Sequence, residues 1–337
     1  MASRADKGAA ARSSGRVVAV TGTSEQLGAG LIGLLESDPS YRRILALDVR
    51  DPGTLAAKTS YHYVDLTTPE AGQELAELFR LQRVDTAVHL AFLSNPAHDP
   101  VYAHELQVAG SMHLLNAAGA AGVGKVVLLG SVMSYGAQPD NPNYLTERAP
   151  LRGTPGNGFI DDLIDVEQQL QRFAAARPET VCTVLRMGAR LGGQVDTFMS
   201  RLLARPLAPT VMGSDPLLQL VHEKDALTAL KLAVDGDHPG PYNIVGDGVL
   251  PLSTILRLAG RIPLPIPRPL MERLGHFLWA AQLTTVPHDF LDYLRYTWVA
   301  DGSRARREMG LQLQYTTRET LLDWVRIERA RLALDEA

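Results

Sequence analysis

Short, largely apolar runs recur along the first two-thirds of the chain, at Val17–Val20, Ile44–Leu47, Val84–Leu90, Lys125–Leu129 and Val181–Leu185. Runs of this length, bounded by turn residues, suit strands covered on both faces, as in a parallel sheet. Between them the apolar positions fall three and four residues apart, which predicts helices over Leu27–Glu36, Pro69–Leu81, Pro100–Ala118 and Phe159–Ala176. Strand–helix alternation of this kind specifies an α/β fold with a doubly wound parallel sheet.

After about Gly193 the rhythm breaks. Pro206, Pro209, Pro216, Pro239, Gly240 and Pro241 interrupt the pattern, and helical stretches dominate from Pro251 onward. We therefore expect a tail over residues 1–15, a sheet domain over 16–193, and a smaller, mostly helical lobe over 194–330 interleaved with the last strands. Ligands of open α/β sheets sit beyond the carboxyl ends of the strands, so such a lobe would close a substrate cleft. The apolar segment Leu274–Val286, interrupted by His276 and Gln282, is expected to be core or the wall of an apolar pocket, with a membrane-surface contact as the alternative.

Composition narrows the function classes. A formal charge of −4 over 337 residues, with acids and bases interspersed, offers nothing to nucleic acid. No window reaches the roughly 18 uncharged apolar residues that a membrane span needs. The single cysteine, Cys182, lies inside an apolar run and reads as a buried structural thiol. A reducing cytoplasm is the expected compartment. The first fifteen residues are small, basic and without periodicity, as in a disordered tail, although a transit peptide shares that bias.

The first strand runs into Thr21-Gly22-Thr23-Ser24-Glu25-Gln26-Leu27-Gly28. A tight glycine turn opening a helix aims backbone N–H groups and the helix dipole at an anion, which suits a pyrophosphate. The later match Gly28-Ala29-Gly30-Leu31-Ile32-Gly33 begins inside the helix, so Gly30 and Gly33 read as close-packing positions against the sheet. About 20 residues on, Asp48 ends the second strand, where a carboxylate can accept from a ribose diol and repel a 2′-phosphate. NAD is expected over NADP, a preference softened by Arg50.

With these motifs in order, the chain resembles the extended short-chain dehydrogenases, the NAD-dependent epimerase/dehydratase family, over about Arg16–Val325. The likeness rests on the Thr21–Gly28 loop, Asp65-Leu66, His89-Leu90-Ala91, Val108-Ala109-Gly110-Ser111, Ser131–Gly136, Val221–Asp225 and Tyr242-Asn243-Ile244. It implies a Rossmann domain whose cofactor contacts come from Gly22, Ser24, Glu25, Gln26, Leu27, Gly28, Asp48, Arg50, Asp65, Leu66, Leu90, Ala91, Phe92, Gln107 and Met187. It implies no metal, a small-molecule substrate (nucleotide-sugar, sterol or another hydroxy or keto compound), and a homodimer through the helices at Pro100–Ala118 and Phe159–Ala176.

The departures fall where chemistry should be. Glu25 replaces the loop's middle glycine, Gln107 an asparagine, and Met187 the proline that follows Leu185-Arg186. The family's Tyr-x-x-x-Lys, whose tyrosine is the general acid/base, falls on Phe159 and Leu163, within the buried stripe Phe159, Leu163, Val166, Leu170, Phe173. The remaining candidates for proton transfer are Ser131, Tyr144 with Arg148 beside it, and Asp161, Asp162 or Asp165 on the altered helix. His89 and His222 read as structural. Three functions stay open on this reading: an oxidoreductase or epimerase of atypical mechanism, a non-catalytic dinucleotide sensor or scaffold, and a fold kept for protein contacts.

Overall fold

The computed structural model describes residues 15–335 except 52, 54, 55, 155 and 283–287, so the expected tail at 1–14 and part of the Leu274–Val286 segment lie outside the described residues. The expected strands appear as β1 (Arg16–Thr21), β2 (Tyr41–Asp48), β4 (Thr86–His89), β5 (Lys125–Ser131) and β6 (Val181–Met187). Two more complete the sheet: β3 (Thr59–Tyr63) and β7 (Gly240–Ile244). All seven are parallel, in the order β7-β6-β5-β4-β1-β2-β3. The order reverses at β1 and β4, which opens a crevice at their carboxyl ends.

Helices cover both faces. On one face lie α2 (Ala71–Gln82), α4 (Gly110–Ala121) and α5 (Gly158–Ala176); on the other, α1 (Gln26–Glu36) packs against α7 (Glu223–Asp235). The first helical turn α3 (Pro100–His104) joins α4 through a π-helical turn, Glu105–Ala109. The short helix α6 (Phe198–Ala204) and the parallel pair Leu207–Val211 and Ile262–Ile266 belong to the segment after Gly193. Among the described residues, no helix is long and apolar enough to cross a membrane.

Two expectations about packing need correction. A Cβ on Gly30 would press on Leu227 of α7, 2.8 Å away, rather than on the sheet, and nothing lies within 4 Å of one on Gly33. In the described part of the Leu274–Val286 segment, Leu274 and Phe277 are exposed on the helix Arg268–Ala280 rather than core, while Trp279 stacks on His98 at 3.9 Å. Cys182 is buried as expected, and burial pushes its thiol up to about 11.

A closed polar cluster ties the helix α5 to the sheet. The Arg186 guanidinium on β6, 2% exposed, donates through Nε to Glu167 of α5 at 3.0 Å and through Nη1 to the carbonyl of Glu147 at 3.2 Å and to the Tyr135 hydroxyl. Tyr135 in turn donates to Asn243 Oδ1 of β7 at 2.8 Å. Removing one member of a buried ion pair strands the other charge, at a cost of about 3–5 kcal/mol. We expect Glu167→Ala to lose about that much in urea unfolding, and the double variant Glu167→Leu/Arg186→Met to regain much of it.

Candidate cofactor site and cleft

The glycine loop is built by sterics. Gly22 has φ +70°, and a Cβ there would lie 2.7 Å from Ala91 N and from the Leu90 carbonyl carbon. A Cβ on Gly28 would collide with the Gly22 carbonyl oxygen. Glu25 occupies the middle position without strain, because its φ of −85° and ψ of 156° suit any residue. It stands at the N-cap of α1, exposed, where the helix dipole favours a carboxylate. The loop leaves the first-turn amides of α1 without intrahelical acceptors, and the buried Thr23 Oγ1 and Gln26 Oε1 have no partner.

Asp48 lies at the next strand end, 9% exposed. Its Oδ2 accepts from Ser24 N at 2.9 Å and its Oδ1 from Arg50 N at 3.1 Å, so the carboxylate both braces the loop and faces the crevice end of β2. The Arg50 side chain is exposed. Asp65 closes a local turn by accepting from Thr67 N and Oγ1, and the carbonyl of buried Leu66 accepts from His113. Leu90 and Phe92 follow β4 into the crevice beside Glu25–Gly28, whereas the amides of Leu90 and Ala91 are engaged by Thr21.

His89 is structural, as the sequence suggests. Ser111 donates to the carbonyl of Gln107, so its oxygen accepts from His89 Nε2–H at 3.0 Å. Nδ1 must then accept from the Thr21 hydroxyl at 2.8 Å, and that oxygen accepts from the amides of Leu90 and Ala91. Burial lowers the imidazole to about 3. Gln107 lies inside the π turn, fully buried, with Nε2 donating to Asp162 and Oε1 unpartnered. Turns of this kind frequently mark functional sites. His222 caps α7 through Nδ1, donates to Asp323, and stacks on Tyr315 at 3.8 Å.

Beyond β5 and β6 a cleft opens, lined by Phe92, Leu93, Met133, Met187, Phe198, Met199, Phe290 and Trp298. Phe159 and Leu163, at the Tyr and Lys positions, form part of the same wall, and the Phe159 ring lies 6.0 Å from that of Phe290. Ser131 reaches the cleft, with its Oγ accepting from Met133 N at 3.1 Å. Among the described lining residues the polar side chains are Ser94, Ser131, Thr197 and Arg190, and only Arg190 is charged. A second cavity, between Glu25–Gly28 and Arg190–Asp196, shares Phe92, Ser94, Leu129 and Arg190 with the first.

Four candidates for proton transfer are not brought together with Ser131. Tyr144 is 51% exposed and lines a separate cavity with Asp215 and Leu217, because the segment after the Val132–Tyr135 turn runs away from the cleft. Arg148 is exposed. Asp162 is spent on His104, which donates from Nδ1 at 2.7 Å, and on Gln107; Asp161 and Asp165 are exposed and do not line the cleft. Arg190 escaped the sequence reading, since a basic residue just past β6 carries no motif.

The family model for the NAD dependent epimerase/dehydratase family matches residues 18–245. The chain belongs to this family. An uncharacterized protein of Mycobacterium tuberculosis (strain H37Rv) is 36% identical over 92% of this chain and 84% of its own length. A UDP-glucose 4-epimerase of rice is 29% identical over 48% of this chain and 38% of its own length. Among solved structures, the UDP-glucose 4-epimerase of Thermotoga maritima superposes with a TM-score of 0.71 at 17% identity, covering 94% of this chain and 99% of its own. The dTDP-glucose 4,6-dehydratase of Streptomyces venezuelae, solved with NAD, gives 0.70 at 18%, covering 94% and 98%. These two share the fold.

The neutral state of His89 makes a pH prediction. With the folded-state value near 3 and an unfolded value near 6.5, the unfolded chain binds the extra proton between those limits. Stability from this group is full above about pH 6.5 and falls on acidification by up to about 1.4 kcal/mol per pH unit. The pH dependence of urea unfolding is expected to flatten by that amount in His89→Gln; an unchanged slope refutes the assignment.

Proposed function

We propose that this protein binds NAD(H) and acts as an oxidoreductase on a small, largely apolar hydroxy or keto compound. The carrying observation is that the glycine-loop cavity adjoins the apolar cleft below Ser131, the two sharing Phe92, Ser94, Leu129 and Arg190 in their walls. The residues fit the cofactor: positions 22 and 28 admit only glycine, and the first-turn amides of α1 await an acceptor. Gly22, Ser24, Glu25, Gln26, Leu27 and Gly28 would surround its phosphates, Asp48 its ribose diol, and Leu90, Ala91, Phe92 and Met187 the path towards the cleft. Asp48 favours NAD over NADP, since a 2′-phosphate would meet its carboxylate. When bound, NAD supplies hydride transfer to or from a carbon bearing oxygen.

The chain's own part in that chemistry is to exclude water with Phe92, Phe159, Phe198 and Phe290 and to hold the substrate oxygen at Ser131 Oγ. No ionisable acid or base lines the described cleft apart from Arg190, so the proton is relayed by the Ser131 hydroxyl to solvent at the mouth of the cleft. Loss of a positioned acid/base costs about 10²–10⁴-fold in rate, and slow turnover is expected. The apolar wall favours a substrate less polar than the nucleotide-sugars named for the rice and Thermotoga relatives. The same lack of an acid or base favours a second reading, a protein that binds NAD(H) without turning it over.

Calorimetric titration should give micromolar NADH binding, abolished by Gly22→Ala and weakened at least about tenfold by Asp48→Ala, with NADPH weaker in the wild type. Failure to bind at millimolar NADH would falsify the reading. Phe159→Tyr/Leu163→Lys should then accelerate NADH oxidation with apolar ketones by about 10²-fold or more. Tight NADH binding with no turnover in either protein selects the non-catalytic reading.

A further inference from the structure

Arg190 is a cation without a carboxylate partner in a chain that pairs most of its buried charges. Its recorded hydrogen bond is from Nη2 to the Ser94 hydroxyl at 3.3 Å, and among the described residues it forms no ion pair. It stands just past β6, half-buried, and lines both the glycine-loop cavity and the apolar cleft. Desolvation lowers its guanidinium to about 10, offset in part by the fields of Glu25 and Glu223. A half-buried guanidinium that faces a cavity without an ion-pair partner keeps its donors available to an anionic ligand.

The charges around it explain what that ligand must be. Glu25 brings a carboxylate to the mouth of the loop, and Glu223 lies behind it, hydrogen-bonded to Gln26 and packed so closely under Gly192 that a Cβ there would collide with its carboxylate. A diphosphate entering this cavity meets the Glu25 carboxylate, Asp196, whose charge is already taken by Arg201, and one cation without an ion-pair partner, Arg190. Helix-terminal amides alone act against that field; a guanidinium fork offers two charge-assisted bonds to phosphate oxygens.

We infer that Arg190 is the side chain that binds the diphosphate of the dinucleotide, compensating the carboxylate that Glu25 places where the family carries glycine. The inference rests on the NAD(H) reading and deepens it. Ser94 holds the guanidinium in place when the site is empty and is displaced or retained as a neutral contact when phosphate arrives. Because Arg190 also lines the cleft, the diphosphate bound there would lie against the entrance to the substrate cavity.

The test is titration of the full-length protein with NADH and with ADP-ribose, which keeps the diphosphate but lacks nicotinamide. Arg190→Gln should weaken both by the same factor, about 10–100-fold, while Arg190→Lys retains most of the affinity. Ser94→Asp, at an exposed position, should neutralise the guanidinium by pairing with it and weaken both probes at least about tenfold, with Ser94→Ala near wild type. This second pair keeps the test decisive if Arg190→Gln does not fold. Wild-type binding with unchanged affinity in Arg190→Gln and Ser94→Asp overturns the inference and leaves the NAD(H) reading standing. Loss of NADH affinity with ADP-ribose unaffected overturns it too, moving Arg190 to the nicotinamide or substrate side. No binding of either probe to the wild type removes both.

Discussion

A guanidinium shut away from water must find its acceptors inside the protein, and Arg186 finds them on three separate pieces of chain. Glu167 draws in α5, the Glu147 carbonyl draws in the loop after the Val132–Tyr135 turn, and Tyr135 passes the connection to Asn243 on β7. Asn243 extends it, with its amide nitrogen donating to the carbonyls of Leu145 and Asp301 and its backbone N–H to the Glu147 carboxylate. Nothing in the cluster has room to slip, because each donor is matched and desolvated. The walls of the cleft hang from it: α5 carries Phe159 and Leu163, and β5 and β6 end in Ser131 and Met187.

That scaffold is rigid where the chemistry is sparse. A polar network of this size sits directly behind a cleft whose own lining is hydrocarbon, three hydroxyls and one guanidinium. Two phenols touch the Ser131 turn: Tyr293 donates to the Met133 carbonyl at 2.6 Å, and Tyr135, within the turn, is fully buried, where burial raises its pKa although Arg186 and Asn243 pull the other way. It serves the network as a fixed donor. Among the described lining residues, the polar groups set against the hydrocarbon are therefore hydroxyls and one guanidinium.

Much of this was legible in the sequence where hydrophobicity alone decides. The strands β1, β2, β4, β5 and β6 and the helices between them follow apolar runs and three-four spacing, because both faces of the sheet are covered. β3, Thr59-Ser60-Tyr61-His62-Tyr63, was missed: it is a sheet edge, polar along its length, and only pairing with β2 makes it a strand. The glycine loop and Asp48 were legible through sterics and charge. The tolerance of Glu25 was not, since it depends on a backbone dihedral. Tyr144 lies in the Pro-rich segment 139–150, a candidate to fold over the cleft, but the turn after Ser131 carries that segment to a separate cavity. Arg190 was invisible because its meaning comes from two cavities meeting, a property of the folded surface alone.

The chain of hydroxyls and imidazole from Thr21 through His89 to Ser111 runs in a single direction, every member giving one hydrogen forward and receiving from behind. Such an arrangement has a parity. Exchanging any one member for a group with a different count of hydrogens and lone pairs leaves two donors or two acceptors facing each other in a dry interior. The three positions lie on β1, at the end of β4 and on α4, far apart in the chain, yet their hydrogen-bond order makes them one unit. A change at one is matched only by a complementary change at its neighbour, so the strand that feeds the glycine loop and the helix that follows the π turn are bound by a shared count of hydrogens.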